Sequence, residues 1–131
     1  MKSRWTLSNK SVYNIGYHLI WCTKYRRKIL ADGVDIRLKE LLTEKAVAIL
    51  VNIESMEIMP DHVHLFVKSS PVHSPHYIVQ QLKGFSSNIL SKEFQLHRKV
   101  PSLWTRSYYC ESVGYISEDT IRSYIEDQKK H

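Results

Sequence analysis

PDHVHLFV, residues 60–67, sets two histidines one residue apart at the head of an apolar run. Side chains alternate across an extended strand, so His62, His64 and Phe66 share one face and Val63, Leu65 and Val67 the other. The aliphatic face calls for a hydrophobic partner, which leaves the imidazoles on a face that a ligand can reach. Just upstream, NIESMEIM (52–59) is a second strand-like run, separated from the first only by Pro60-Asp61. So short a link joins antiparallel strands in a hairpin.

Working outward, YNIGYHLIWC (13–22) is β-branched and aromatic and reads as a strand. A basic connection, TKYRRKILADG, follows. From Val34 the apolar residues fall at Leu38, Leu41, Leu42, Ala46, Ile49 and Leu50, a helical stripe. Ser74-Pro75 resembles an N-cap followed by proline at the first helical position. Ile78, Leu82, Phe85 and Ile89 continue that second stripe, with Gly84 inside it marking either a bend or a close approach to a ligand. HRKVPSLW (97–104) is a loop and SYYCESVG (107–114) a fourth strand. Ser117 is placed to cap a last helix, with Glu118 and Asp119 in its first turn. That helix carries Ile121, Tyr124, Ile125 and Gln128 on one side. The order is strand, helix, strand, strand, helix, strand, then an extra helix. This predicts an α+β fold of the ferredoxin-like, split βαβ type: an antiparallel sheet with two helices on one face. With no linker, repeat or low-complexity segment, residues 1–131 read as a single domain.

The composition, 43% hydrophobic and 24% charged, is that of an ordinary globular domain, and 131 residues suffice for a real core. No apolar stretch has the length of a membrane span, and MKSRWTLSNK lacks the apolar core of a signal peptide, so the expected location is cytoplasmic. Two cysteines, Cys22 and Cys110, are too few for a disulfide framework and read as buried free thiols. The net charge of +6 favours a polyanionic partner, most simply nucleic acid. Eight tyrosines and three tryptophans can stack on bases, although aromatic residues are equally core residues.

Two histidines at this spacing can grip one metal ion without distorting a strand, but a bare His-X-His also arises from structural or surface histidines. The last helix offers a third ligand and a reactive group. Tyr124 and Gln128 lie four apart, on one helical face. Gln128 can supply an amide oxygen and Tyr124 a phenol; Tyr124 can equally be core, beside Ile121 and Ile125. From residue types and spacing alone, both readings stay open.

Five blocks go further: YHLIWCTKYRRKIL, MEIMPDHVHLFV, LKGFSSNIL, LWTRSYYCESVG and IRSYIEDQ. In this order and across nearly the whole chain, they resemble the TnpA transposases of the smallest insertion sequences. These are single-tyrosine HUH nucleases, with REP-associated tyrosine transposases among their relatives. The HUH name means histidine, hydrophobic residue, histidine, here His62-Val63-His64. The resemblance implies that His62 and His64 are metal ligands, that Gln128 is the third, helix-borne ligand, and that Tyr124 is the nucleophile. It implies a divalent metal, magnesium or manganese, and a homodimer in which the tyrosine helix of one subunit can complete the site of the other. It also implies a single-stranded DNA substrate folded into hairpins at the ends of a small mobile element.

Candidate DNA-binding residues are Lys24, Arg26, Arg27 and Lys28, interleaved with Trp21 and Tyr25. They offer phosphate-neutralising charge and stacking surfaces, or else make a solvated basic turn. Lys83 joins them because Lys83-Gly84 would let a backbone approach a phosphate closely. Relatives often carry arginine near Phe85 and Asn88, and this chain does not. His18, His73, His76, His97 and His131 have no motif support and are expected to be non-catalytic. Two rival functions remain: a domesticated hairpin-DNA-binding protein without transposition activity, and a ferredoxin-like RNA-binding module. The second would display aromatic residues on its central strands, where this sequence sets imidazoles.

Overall fold

The computed structural model describes residues 6–7, 12–98, 100–113 and 118–128. A two-stranded ribbon, β1 (Thr6–Leu7) with β2 (Val12–Tyr13), precedes the main domain. The domain then runs β3 (Ile15–Cys22), α1 (Val34–Ala48), β4 (Asn52–Met59), β5 (His62–Ser69), α2 (Pro75–Glu93), β6 (Tyr109–Val113) and α3 (Glu118–Gln128). The sheet order is β4-β5-β3-β6 with every neighbouring pair antiparallel. This is the expected split βαβ arrangement. The strand expected over 13–22 begins at Ile15, because Val12 and Tyr13 pair with β1 instead.

One face of the sheet carries Leu19, Trp21, Val63, Leu65 and Val67, all buried, and packs on Leu38, Leu41 and Leu42 of α1 and Ile78, Val79, Leu82 and Leu90 of α2. Alternation leaves His62, His64, Phe66 and Lys68 on the other face. Their pairing partners extend that face: Ile20, His18 and Gly16 on β3, and Glu57, Ser55 and Asn52 on β4. A β-bulge between Ile53 and Ser55 shifts the register there, so that Ser55, Glu57 and Met59 stand opposite Phe66, His64 and His62.

Local chemistry sets the helix ends. Ser74 Oγ accepts from the Tyr77 N–H at 3.1 Å, with Pro75 opening α2 as expected. α1 starts after Gly33, whose φ of +98° favours glycine. Leu50 departs from its expected place in the helical stripe. It lies beyond α1 in the left-handed region, φ +62°, and is 83% exposed. Leu50 occupies the helix-terminating position that usually falls to glycine, and Val51 turns into the core in its stead. An Arg37–Glu93 ion pair at 2.8 Å links the two helices at their rim.

The loop before β6 is anchored rather than free. Thr105 N donates to Cys22 O at 3.0 Å, and buried Trp104 meets Trp21 edge-on with ring centroids 5.9 Å apart. The strand expected over 107–114 is described as Tyr109–Val113, with Gly114 outside the described residues; it starts after Ser107, whose carbonyl accepts from the Lys83 ammonium inside the protein. The expected cap Ser117 lies outside the described residues. If β5 is the central seam of the core, Leu65→Ala will destabilise the fold by about 2–5 kcal/mol in urea unfolding. A loss below 1 kcal/mol would contradict this packing.

Candidate functional site

β5 delivers His62 and His64 to the open face because Val63, Leu65 and Val67 are committed to the core with no exposed surface. Both imidazoles are half-buried. His62 Nδ1 lies 2.8 Å from Asp61 Oδ1. His64 Nε2 shares a hydrogen bond with His18 Nδ1 across 3.2 Å, one ring nitrogen donating to the lone pair of the other. Nε2 of His62 and Nδ1 of His64 lie outside these two contacts, and His64 Nδ1 offers a lone pair when its Nε2 donates to His18. Imidazole nitrogens at alternate positions of one strand suit a borderline divalent cation such as manganese, so the donor set fits a metal. Among the described residues no three His, Cys, Asp or Glu side chains converge as a metal-binding group. Gln128, the third ligand that the resemblance implies, has its side chain outside what the structure describes.

His18, expected to be non-catalytic, stands beside the pair. Its ring centroid is 5.3 Å from that of His64 and 5.0 Å from that of Phe66. Gly16 makes room for this layer, since a Cβ there would come within 3.1 Å of the Phe66 ring. Sequence showed that His18 lies in a strand. It could not show that β3 pairs with β5 in the register that brings the two rings together.

α3 carries Tyr124 and Gln128 one helical turn apart. Their side chains lie outside what the structure describes, as do those of Glu118, Thr120 and Ile121. The described side chains of α3, Asp119, Arg122, Ser123, Ile125, Glu126 and Asp127, are all exposed.

The candidate DNA-binding residues divide. Lys24, Arg26, Arg27 and Lys28 surround a 3-10 turn, Lys24–Arg26, in which Tyr25 and Arg26 take left-handed φ values of +58° and +52°. Each costs on the order of 1 kcal/mol for a non-glycine residue. Tyr25, 71% exposed, is the aromatic surface on this turn, with the Lys24 ammonium 5.4 Å from its ring centroid. Trp21 is not a stacking surface: it is buried on the helix side of the sheet.

Lys83 also differs from expectation. It is 7% exposed, with its ammonium donating at 2.5 Å to Thr105 O and at 3.3 Å to Ser107 O. Burial lowers its pKa from the ordinary lysine value. In this conformation it clamps the loop into β6 and does not present itself to a phosphate. Gly84 lies inside the continuous helix α2, in open space where a Cβ would meet nothing within 4 Å. Sequence reading missed an open groove of about 720 Å³ along the second half of α2, lined by Ser87, Asn88, Lys92, Gln95, Arg98 and Ser102. Its cations belong partly to an aperiodic loop and carried no motif signal.

Geometry thus defines a class: a split βαβ domain with paired histidines on its open sheet face and a tyrosine-bearing helix after its last strand. The IS200-like transposase family model matches residues 11–128. The ISDra2 transposase TnpA of Deinococcus radiodurans is 38% identical over 120 residues, covering 89% of this chain and 86% of that protein. The transposase for insertion sequence element IS200 of Salmonella typhimurium is 29% identical over 127 residues, covering 89% and 81%. A transposase crystal structure from Deinococcus radiodurans R1 superposes with a TM-score of 0.77 at 36% identity, covering 94% of this chain and 97% of that one. A REP-associated tyrosine transposase bound to a REP hairpin shares the fold, with a TM-score of 0.57 at 13% identity over 88% and 68%. The chain belongs to the IS200-like family of transposases.

Two substitutions check the local readings. Lys83→Met strands two carbonyls and should cost about 1–3 kcal/mol in urea unfolding, with the salt dependence of DNA binding unchanged. A flatter salt dependence with intact stability would instead return Lys83 to the DNA surface. Gly84→Ala, in open space within a helix, should stabilise by about 0.5–1 kcal/mol. Unchanged stability together with weakened DNA binding would mark Gly84 as a point of close backbone approach.

Proposed function

We propose that this transposase cuts and rejoins single-stranded DNA ends of a small insertion sequence through a 5′-phosphotyrosine on Tyr124. His62, His64 and Gln128 would hold a divalent metal, magnesium or manganese. The observation that carries this reading is the half-buried His62–His64 pair on the open sheet face, in a transposase with tyrosine and glutamine on one helix.

In this reading the Tyr124 phenol oxygen attacks the scissile phosphorus as its proton passes to solvent. The bond from phosphorus to the 3′ oxygen breaks, that oxygen leaves as a hydroxyl, and the 5′-phosphate stays on the tyrosine. Because the phosphodiester is exchanged rather than hydrolysed, a second 3′-hydroxyl can reverse the step onto a new end without ATP. The metal, when bound, would supply Lewis-acid polarisation and a template for phosphate oxygens. The pair's nitrogen character favours manganese over magnesium in affinity.

Hairpin DNA is the proposed substrate form, in keeping with the hairpin bound by the REP-associated neighbour. Two basic surfaces suit it: the turn at Lys24, Arg26, Arg27 and Lys28, and the groove with Lys92 and Arg98. The same reading includes a homodimer in which the tyrosine helix of one subunit completes the site of the other. No described helix is long and apolar enough to cross a membrane.

Wild type with manganese and labelled hairpin DNA should form a covalent adduct that EDTA prevents. Tyr124→Phe should abolish it while hairpin binding survives; an adduct persisting in that variant would remove Tyr124 as nucleophile. Mixing Tyr124→Phe with His64→Ala should restore cleavage if sites are shared between subunits, and continued silence would argue for a site within one chain. Tight hairpin binding with no adduct under any metal would favour the domesticated, binding-only reading.

A further inference from the structure

We propose that Asp61 is the positioning residue of the histidine pair: its carboxylate, braced by Arg26, fixes the His62 ring with its proton on Nδ1 and presents Nε2 bare on the open face. The functional consequence rests on the metal reading of His62 given above; the positioning itself does not.

The contact that carries this is the 2.8 Å approach of His62 Nδ1 to Asp61 Oδ1. An ionised carboxylate only accepts hydrogen bonds, so Nδ1 must carry the hydrogen, and in the neutral ring Nε2 then holds the lone pair. A carboxylate on the far nitrogen is the usual second partner of a metal-binding histidine, where it sets tautomer, ring orientation and basicity.

Asp61 is itself held in place from several directions. Its Oδ2 lies 3.1 Å from Arg26 Nη2, so both carboxylate oxygens are engaged. Its backbone carbonyl accepts from Thr23 N at 2.9 Å and from Thr23 Oγ1 at 3.3 Å, and the Pro60 carbonyl accepts from Leu30 N at 3.0 Å. Thr23 is fully buried, so this anchor is part of the core. The left-handed conformations of Tyr25 and Arg26 acquire a purpose here: they shape the turn from which the guanidinium reaches Asp61. An ion pair this exposed on its arginine side contributes little stability. Its effect is to hold a geometry. The basic turn thereby serves the histidine pair as well as any DNA it meets, and Asp61 acts through His62 without touching substrate.

The test uses the full chain, metal-free and labelled with ¹⁵N-histidine, with His62 assigned through His62→Gln. Long-range ¹⁵N–¹H correlation spectra should show His62 in the Nδ1–H form in wild type. Asp61→Asn, whose side-chain oxygen still accepts, should keep that form, and Asp61→Ala should lose it with core amide signals unchanged. Calorimetric titration with manganese should show binding about 10–100-fold weaker in Asp61→Ala than in wild type, with Asp61→Asn between them. An Nε2–H ring in wild type, a ring unmoved in Asp61→Ala, or equal manganese affinity in the two proteins would overturn the proposal. An Asp61-dependent Nδ1–H ring in a wild type that binds no manganese would uphold the positioning and remove the metal reading instead.

Discussion

Everything at the candidate site depends on the register of β5. That strand is paired on both sides, to β3 over its full length and to β4 across a bulge. A one-residue slip would send His62 and His64 into the core and Val63, Leu65 and Val67 into water. Burial of three aliphatic side chains, each roughly 1.5–3 kcal/mol, opposes that slip. The hairpin turn opposes it too, because Pro60 and Asp61 are hydrogen-bonded to Leu30 and Thr23 on the neighbouring segment. Hydrophobic packing on one face thus sets the position of polar chemistry on the other.

Three of the buried polar side chains follow one pattern. Lys83 has both of its hydrogen bonds on backbone carbonyls of the 105–107 loop, Ser86 links α2 to Trp104, and Thr23 ties the start of the basic turn to Asp61. Each satisfies the partners it is buried with, as a low-dielectric interior requires. Each also holds an aperiodic segment against the sheet: the loop into β6, or the turn between β3 and α1. Precision at the open face is built from the helix side.

The open face also separates this protein from the RNA-binding module that shares its topology. There the central strands would present stacking aromatics. Here β3 and β5 present His18, His62 and His64, and their one aromatic hydrocarbon, Phe66, is packed into the Gly16 notch against His18. Exposed Tyr109 on the edge strand is hydrogen-bonded to Glu111, and its pKa is raised by that carboxylate. The family relationship and the face chemistry therefore agree.

Local patterns in the sequence determined much of this protein. Periods of two and of about 3.6 are local properties of the backbone, so the hairpin at 52–69, both core helices, the Ser74 cap and the split βαβ order were all legible from residue spacing. So was the sharing of one face by His62 and His64, and the family resemblance followed from five blocks in register. What spacing could not convey was any relation between segments distant in the chain. Leu50 looked like a core residue until the left-handed end of α1 placed Val51 there. Lys83 looked like a DNA contact until the 105–107 loop supplied carbonyls for its ammonium, and Trp21 until the sheet turned it inward. His18 meets His64 only through strand pairing, and Asp61 meets Arg26 only because a strained turn folds back on the hairpin. Periodicity tells which way a side chain points; only the tertiary structure decides what is waiting there, because contact partners are set by packing between segments and not by spacing within one.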